Sequence, residues 1–170
     1  NTAPLSVDLH LIIEENKDVF QLGLTALSKL TEGKVFLTLK DEIKFEDVEV
    51  QKISGPHPAG NVGIQIHHTK PLKPNEVIWT VNAQHVVTLG RLFKNGIYDP
   101  KITILVGGSG SNKPESLKLA TGASIHSIME NQKVDKPVRI ISGDVLTGTT
   151  VTEEHYVGFY DSTITILDDN

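Results

Sequence analysis

Histidine is the side chain best suited to chemistry near neutral pH, because its imidazole donates and accepts hydrogen bonds and exchanges a proton in that range. Four of the chain's seven histidines, His57, His67, His68 and His85, fall near its middle. Three of them lie in SGPHPAGNVGIQIHH, Ser54 to His68, together with Pro56, Pro58, Gly55, Gly60 and Gly63. The prolines fix their own φ and push Gly55 and His57 toward extended geometry, while the glycines permit turns that a side chain would block. This composition predicts a defined loop over residues 54–68, with two uses open to it. It is either a stiff connector or a loop that faces a ligand. A zinc site needs ligands at recognisable spacing, commonly with a thiolate or carboxylate partner; the segment has neither, so no metal is expected. His10, His126 and His155 are isolated and are read as surface or satisfied core residues.

Other chemistry finds less support. GGSGSNKPE carries the glycines of a phosphate loop but lacks its GK[ST] ending, and it precedes the strand-like SLKLA, so it is read as a mobile hairpin loop. No G-x-S-x-G elbow and no dinucleotide fingerprint are present. Trp79 and Phe45 could stack on a planar ring, but aromatics in strand-like runs are expected in the core. The absence of cysteine excludes disulfides, thiolate metal sites and cysteine nucleophiles. A net charge of −5, from 21 acids against 16 bases, with no Lys/Arg cluster, argues against nucleic acid as a partner. No apolar run approaches the roughly 18 to 20 residues of a membrane-spanning helix, and no signal-peptide pattern opens the chain. Any role at a membrane is therefore expected to be peripheral.

The 170 residues, 38% hydrophobic and 22% charged, can bury a sizeable core in one domain or two small lobes. LHLII reads as a buried strand. Asn16 is placed to cap a helix in which Phe20, Leu24, Leu27 and Leu30 or Ala26 recur at helical spacing, with Gly33 as its stop. KVFLTL follows as a second strand, and the three together predict a βαβ unit with a parallel pair. After the polar turn that opens DEIKFEDVEVQKIS, Val48 to Ile53 form a strand, and the loop from Ser54 leaves its carboxyl end, where ligands bind in α/β folds. VIWTV is read as a short strand, followed by a helix from the cap Asn82 through Phe93 to Gly96, with Val86, Leu89, Leu92 and Phe93 as its apolar positions. The sharp turn at KNGIYDP divides an α/β lobe, residues 1–97, from an α+β lobe, residues 98–170. In the second lobe KITILVGG, SLKLA, VRIIS and STITIL read as strands around a short helix. Thr121 is placed as its cap, and Ile125, Ile128 and Met129 face inward.

Several of these segments match a family pattern. HPAGNVGIQIH and VIWTVNAQHVVTLGRLF closely resemble the HPAG-x-x-G-x-x-IH and VW-x-x-x-x-QDVI-x-x-GKLF motifs of the NqrA family of sodium-translocating NADH:quinone reductases. FQLGLTALSKLTEGKVFL and RIISGDVLTGTT resemble two further motifs of the same family. The pattern covers essentially the whole chain and departs at Ile64 and Gln65, where Thr and His are expected, and at His85, where an acid is expected. The resemblance implies a partial Rossmann-like first lobe, like that of the flavoprotein subunit of respiratory complex I, and a small ubiquitin-like β-grasp second lobe of the SLBB type. With Asn1 first and Met129 the only methionine, the chain is expected to be a central piece of a longer subunit. That subunit is implied to be peripheral, on the cytoplasmic face of the bacterial inner membrane, in a complex that couples NADH oxidation and quinone reduction to sodium export. No cofactor is implied in this piece; flavins and an iron–sulfur centre are expected in partner subunits, and quinone is the candidate ligand. Given that ligand, a flat ring with two carbonyl acceptors, the candidate quinone contacts are His57, Pro58, Ala59, Gly60, Gly63 and His67. No residue is assigned a catalytic role, and the piece is expected to be inactive alone. The competing readings are a scaffold that docks neighbouring subunits and a retained flavin or NADH site.

Overall fold

A computed structural model describes residues 2–40 and 43–169, so the polar turn expected at Asp41 and Glu42 lies outside the described residues. The architecture is mixed α/β with two separate sheets. The chain divides into two compact units: Thr2 and Asp8–Asp99 in one, Ala3–Val7 and the residues from Pro100 onward in the other.

The first unit is built on helices. LHLII is not a strand but most of helix α1, Leu9–Glu15. An apolar run of that length suits either structure, and Asp8 decides the matter, because its carboxylate accepts from the N–H groups of His10 and Leu11 and so caps a helix. Only one face is then covered: Ile12 and Ile13 are buried while Leu11 is 52% exposed. Helix α2, Lys17–Lys29, follows at once. Asn16 occupies its N-cap, but the Asn16 side chain is used elsewhere, donating to the Ile12 carbonyl and accepting from Arg91. The helix stops before Gly33, and Leu30 is exposed.

Strand β1, Phe36–Leu39, pairs in parallel with β2, Glu49–Lys52, in the register Phe36↔Glu49 to Leu39↔Lys52. The parallel partner of KVFLTL is therefore β2, and the expected βαβ unit over the first forty residues does not exist. Helix α3, Val62–Thr69, and helix α4, Ala83–Asn95, complete the unit. Asn82 caps α4 through its side chain, which accepts from Gln84 N–H, and Gly96 ends it at φ 70°. Helices α2 and α4 meet at backbone distance. A Cβ on Gly90 would lie 1.7 Å from the Val19 carbonyl oxygen, and one on Gly23 would lie 2.2 Å from that of Val86. Around this contact Phe20, Leu24, Val86 and Val87 are buried, and Phe45 meets Phe20 edge-on at 5.2 Å. Phe93, expected on the apolar side, is exposed; the buried face of α4 holds the expected Val86 together with Gln84, Val87, Thr88 and Gly90.

The second unit is organised by a five-stranded sheet. Its strands are β3 (Lys101–Gly107), β4 (Glu115–Ala120), β5 (Val138–Ser142), β6 (Thr149–Val151) and β7 (Thr163–Asp168), in the order β4-β3-β7-β5-β6. Only β3 and β7 run parallel; the other neighbours are antiparallel. Period-two alternation places Ile102, Ile104 and Val106 on the inner face. Ile164 and Ile166 of the central β7 continue that layer. Helix α5, Ile125–Gln132, covers it with Ile125, Ile128 and Met129. Each such side chain removed from water contributes about 1.5 to 3 kcal/mol. The N-cap of α5 is Ser124, not Thr121, whose hydroxyl donates to the Pro100 carbonyl. The hairpin between β3 and β4 is tied down where a mobile loop was expected. Ser111 Oγ and Asn112 Nδ2 donate to Gln132 Oε1 and the Lys133 carbonyl, at 2.7 and 2.8 Å. Among the described residues no helix is long and apolar enough to cross a membrane.

Candidate functional site

The histidine-containing segment starts where β2 ends. Ile53 N–H still donates to Leu39, after which Gly55 turns the chain at φ 136°, a region that excludes most side chains. His57 and Pro58 are joined by a cis peptide bond. Two tight turns follow, closed by Ala59 N–H to Pro56 O at 2.9 Å and Asn61 N–H to Pro58 O at 2.8 Å. The loop ends there, seven residues short of the expected His68, because residues 62–69 are the helix α3. Asn61 takes the extended backbone of an N-cap and its carbonyl accepts from Gln65 N–H, which starts the helix.

Two side chains fix the turn. Thr2 Oγ1 accepts from Gly60 N–H at 2.8 Å and lies 3.4 Å from His57 Nδ1. Gln65 Nε2 donates to the Gly60 carbonyl at 3.0 Å. Both backbone groups of Gly60 are thus committed inside the protein, so this candidate quinone contact has no free backbone donor to offer. The free donors lie one turn on. Val62, Gly63 and Ile64 occupy the first turn of α3, where N–H groups have no intrahelical partner, and Asn61 does not cap them.

The candidate residues divide accordingly. His57, Ala59 and Gly60 are half-buried in the turn; Pro58 is exposed beside them. Gly63 is exposed, and a Cβ there would meet nothing within 4 Å, so no steric demand requires glycine at that position. His67 is at the far end of α3, about 7.5 Å along the axis from Val62. It meets His68 edge-on at 5.3 Å. Val62 and Ile64 are exposed and give the start of α3 an apolar surface.

His85 is on α4, and burial pushes its imidazole below the usual histidine range. Among the described residues no three His, Asp or Glu side chains are grouped to hold a metal. His126 has a pair of partners that its isolation in sequence did not reveal: Glu153 at 2.9 Å and Glu130 at 3.6 Å, and the bond to Glu153 raises its pKa. Trp79, expected in the core, is 92% exposed. Thr2 is the site residue that sequence reasoning missed. It lies 58 positions from Gly60, and a single hydroxyl at that distance leaves no local pattern to read.

What this chain is similar to is now specific. Residues 1–98 match the family model described as the NqrA second alpha/beta domain, and residues 103–153 match the NQRA C-terminal domain. Curated relatives align over nearly its whole length. The NqrA protein of the Na(+)-translocating NADH-quinone reductase of Shewanella denitrificans is 38% identical over 99% of this chain. The proteins of the same name from Neisseria meningitidis serogroup B and Psychromonas ingrahamii are 37% and 41% identical, over 99% and 98% of it. The chain spans 39% of the length of each of these relatives.

Proposed function

The chain belongs to the NqrA family of the Na(+)-translocating NADH-quinone reductases, and on that premise we propose that it forms part of the subunit that contacts quinone, through residues 56–67. The whole complex would couple NADH oxidation and quinone reduction to sodium export. Here the chain would serve binding and assembly without catalysing a step by itself. Its partners would be the other subunits, which carry the flavins and the iron–sulfur centre, and its place the cytoplasmic face of the inner membrane, as a peripheral component. The second unit's strand order, with the last strand between the first and third and one helix across the sheet, supports a β-grasp reading of the SLBB type. A partial Rossmann-like reading of the first unit rests on its parallel strand pair flanked by helices.

The observation that carries the quinone reading is the rigid turn after β2. A quinone site needs an apolar slot and one or two donors aimed at its carbonyl oxygens. Pro58, Ala59, Val62 and Ile64 supply apolar surface, the first turn of α3 supplies unpaired N–H groups, and His57 supplies a donor that can pass on a proton. The scaffold reading has its own support, since Thr2 and Gln65 consume both polar groups of Gly60. His57→Ala in the assembled enzyme separates the two. Loss of one donor hydrogen bond, about 0.5 to 1.5 kcal/mol net, raises the apparent quinone KM several-fold and leaves the NADH KM unchanged. Less folded or assembled protein with unchanged quinone kinetics would show that the turn is structural.

A further inference from the structure

Between the turn at Lys73–Glu76 and the cap of α4 lies Val77-Ile78-Trp79-Thr80-Val81, every member of which favours β structure. Both ends are fixed. Glu76 N–H donates to the Lys73 carbonyl while Lys73 N–H donates to the Glu76 side chain, and Asn82 is bound to Gln84 N–H. Yet the segment pairs with no strand and makes no hydrogen bond among the described residues. Val77, Trp79 and Val81 are 78%, 92% and 49% exposed, while Ile78 is half-buried. The segment thus presents three exposed apolar side chains and an unpaired backbone together.

We propose that Val77–Val81 is a docking strand, and that its occupant is a strand from the remainder of the same polypeptide. Three observations select this occupant. The chain spans only 39% of its relatives' length, and its first 98 residues match a second α/β domain, so family members carry other domains to supply a strand. The unit's own sheet has two strands of four residues each, fewer than the three or more that make a sheet stable by itself. The segment also carries no charge and no proline. An unguarded edge of that kind invites aggregation unless it is permanently covered. A partner on the same polypeptide is present from the moment of folding, whereas one that dissociates would uncover the edge.

Hydrogen exchange in the full-length protein, both isolated and in the assembled enzyme, tests this. The amides of residues 77–81 are expected to exchange about a hundredfold slower than an unstructured peptide of the same sequence, already in the isolated full-length protein. Protection only in the assembled enzyme would assign the edge to a different subunit, and no protection in either would remove the strand; both overturn the proposal. Thr80→Pro deletes one donor at an exposed position and should restore fast exchange across the segment while α4 stays protected. Unchanged slow exchange in that variant would mean that burial without pairing protects the segment, which also refutes it.

Discussion

Two glycines on helices, Gly63 and Gly90, should respond in opposite directions to the same substitution. Alanine is favoured over glycine in a helix interior by about 0.5 to 1 kcal/mol. At Gly63 nothing lies within 4 Å of the added methyl, so Gly63→Ala collects that gain, diminished by its first-turn position. At Gly90 the methyl would sit 1.7 Å from the Val19 carbonyl oxygen and 2.7 Å from its carbon. Backbone cannot rotate away as a side-chain tip can, so α2 and α4 must separate by about 1.3 Å to reach even a tight 3.0 Å contact. Overpacking of this kind costs about 1 to 3 kcal/mol, and here the separation also loosens Phe20, Leu24, Val86 and Val87. Net of the propensity gain, Gly90→Ala should destabilise the first unit by about 2 kcal/mol. Denaturant unfolding followed by far-UV circular dichroism reads both variants, with the slopes checked for a single transition. A Gly90→Ala protein as stable as the parent would refute the backbone contact between α2 and α4. A Gly63→Ala protein that loses more than about 1 kcal/mol would show that this position is constrained after all.

Gln132 is buried and its amide donates to the Lys113 carbonyl at 2.8 Å while accepting from Ser111 Oγ at 2.7 Å, so Gln132→Leu strands those partners and should cost about 1 to 3 kcal/mol in the same assay. Lys133 ends α5 at φ 51°, which glycine adopts without strain, and Lys133→Gly should raise the thermal midpoint through a gain of up to about 1 kcal/mol. The raised pKa of His126 means that its ion pairs stabilise the second unit fully below the unfolded histidine pKa and that this contribution is lost as pH rises through the folded value. His126→Gln should therefore flatten the pH dependence of stability above about pH 6.5, and an unaltered profile would count against the pairing with Glu153.

What could be read in the sequence was local. Asn82 and Gly96 bracket α4 because a side-chain cap and a left-handed glycine act on neighbouring backbone alone. Four of the second unit's five strands, all but the short β6, and its inward helix positions followed from period two and from the spacing of Ile125, Ile128 and Met129. The misreadings arose where another part of the chain decides. Leu9–Ile13 has strand composition, but the Asp8 carboxylate makes it a helix. Val77–Val81 carries a strand's residues without a partner, and a strand exists only with one. Residues 62–69 were read through their glycine and histidines, although after the N-cap Asn61 they form about two turns of helix. The closure of the candidate site by Thr2 depends on a contact across 58 positions, which no window of sequence contains.

The central claim, that residues 56–67 line a quinone site, is tested most directly by photoaffinity labelling of the assembled enzyme with an azidoquinone, followed by peptide mapping of the NqrA polypeptide. Adducts are predicted between Pro56 and His67, and excess unlabelled quinone should suppress them. Competable labelling confined to other segments or other subunits, with this turn unmodified, would contradict the claim.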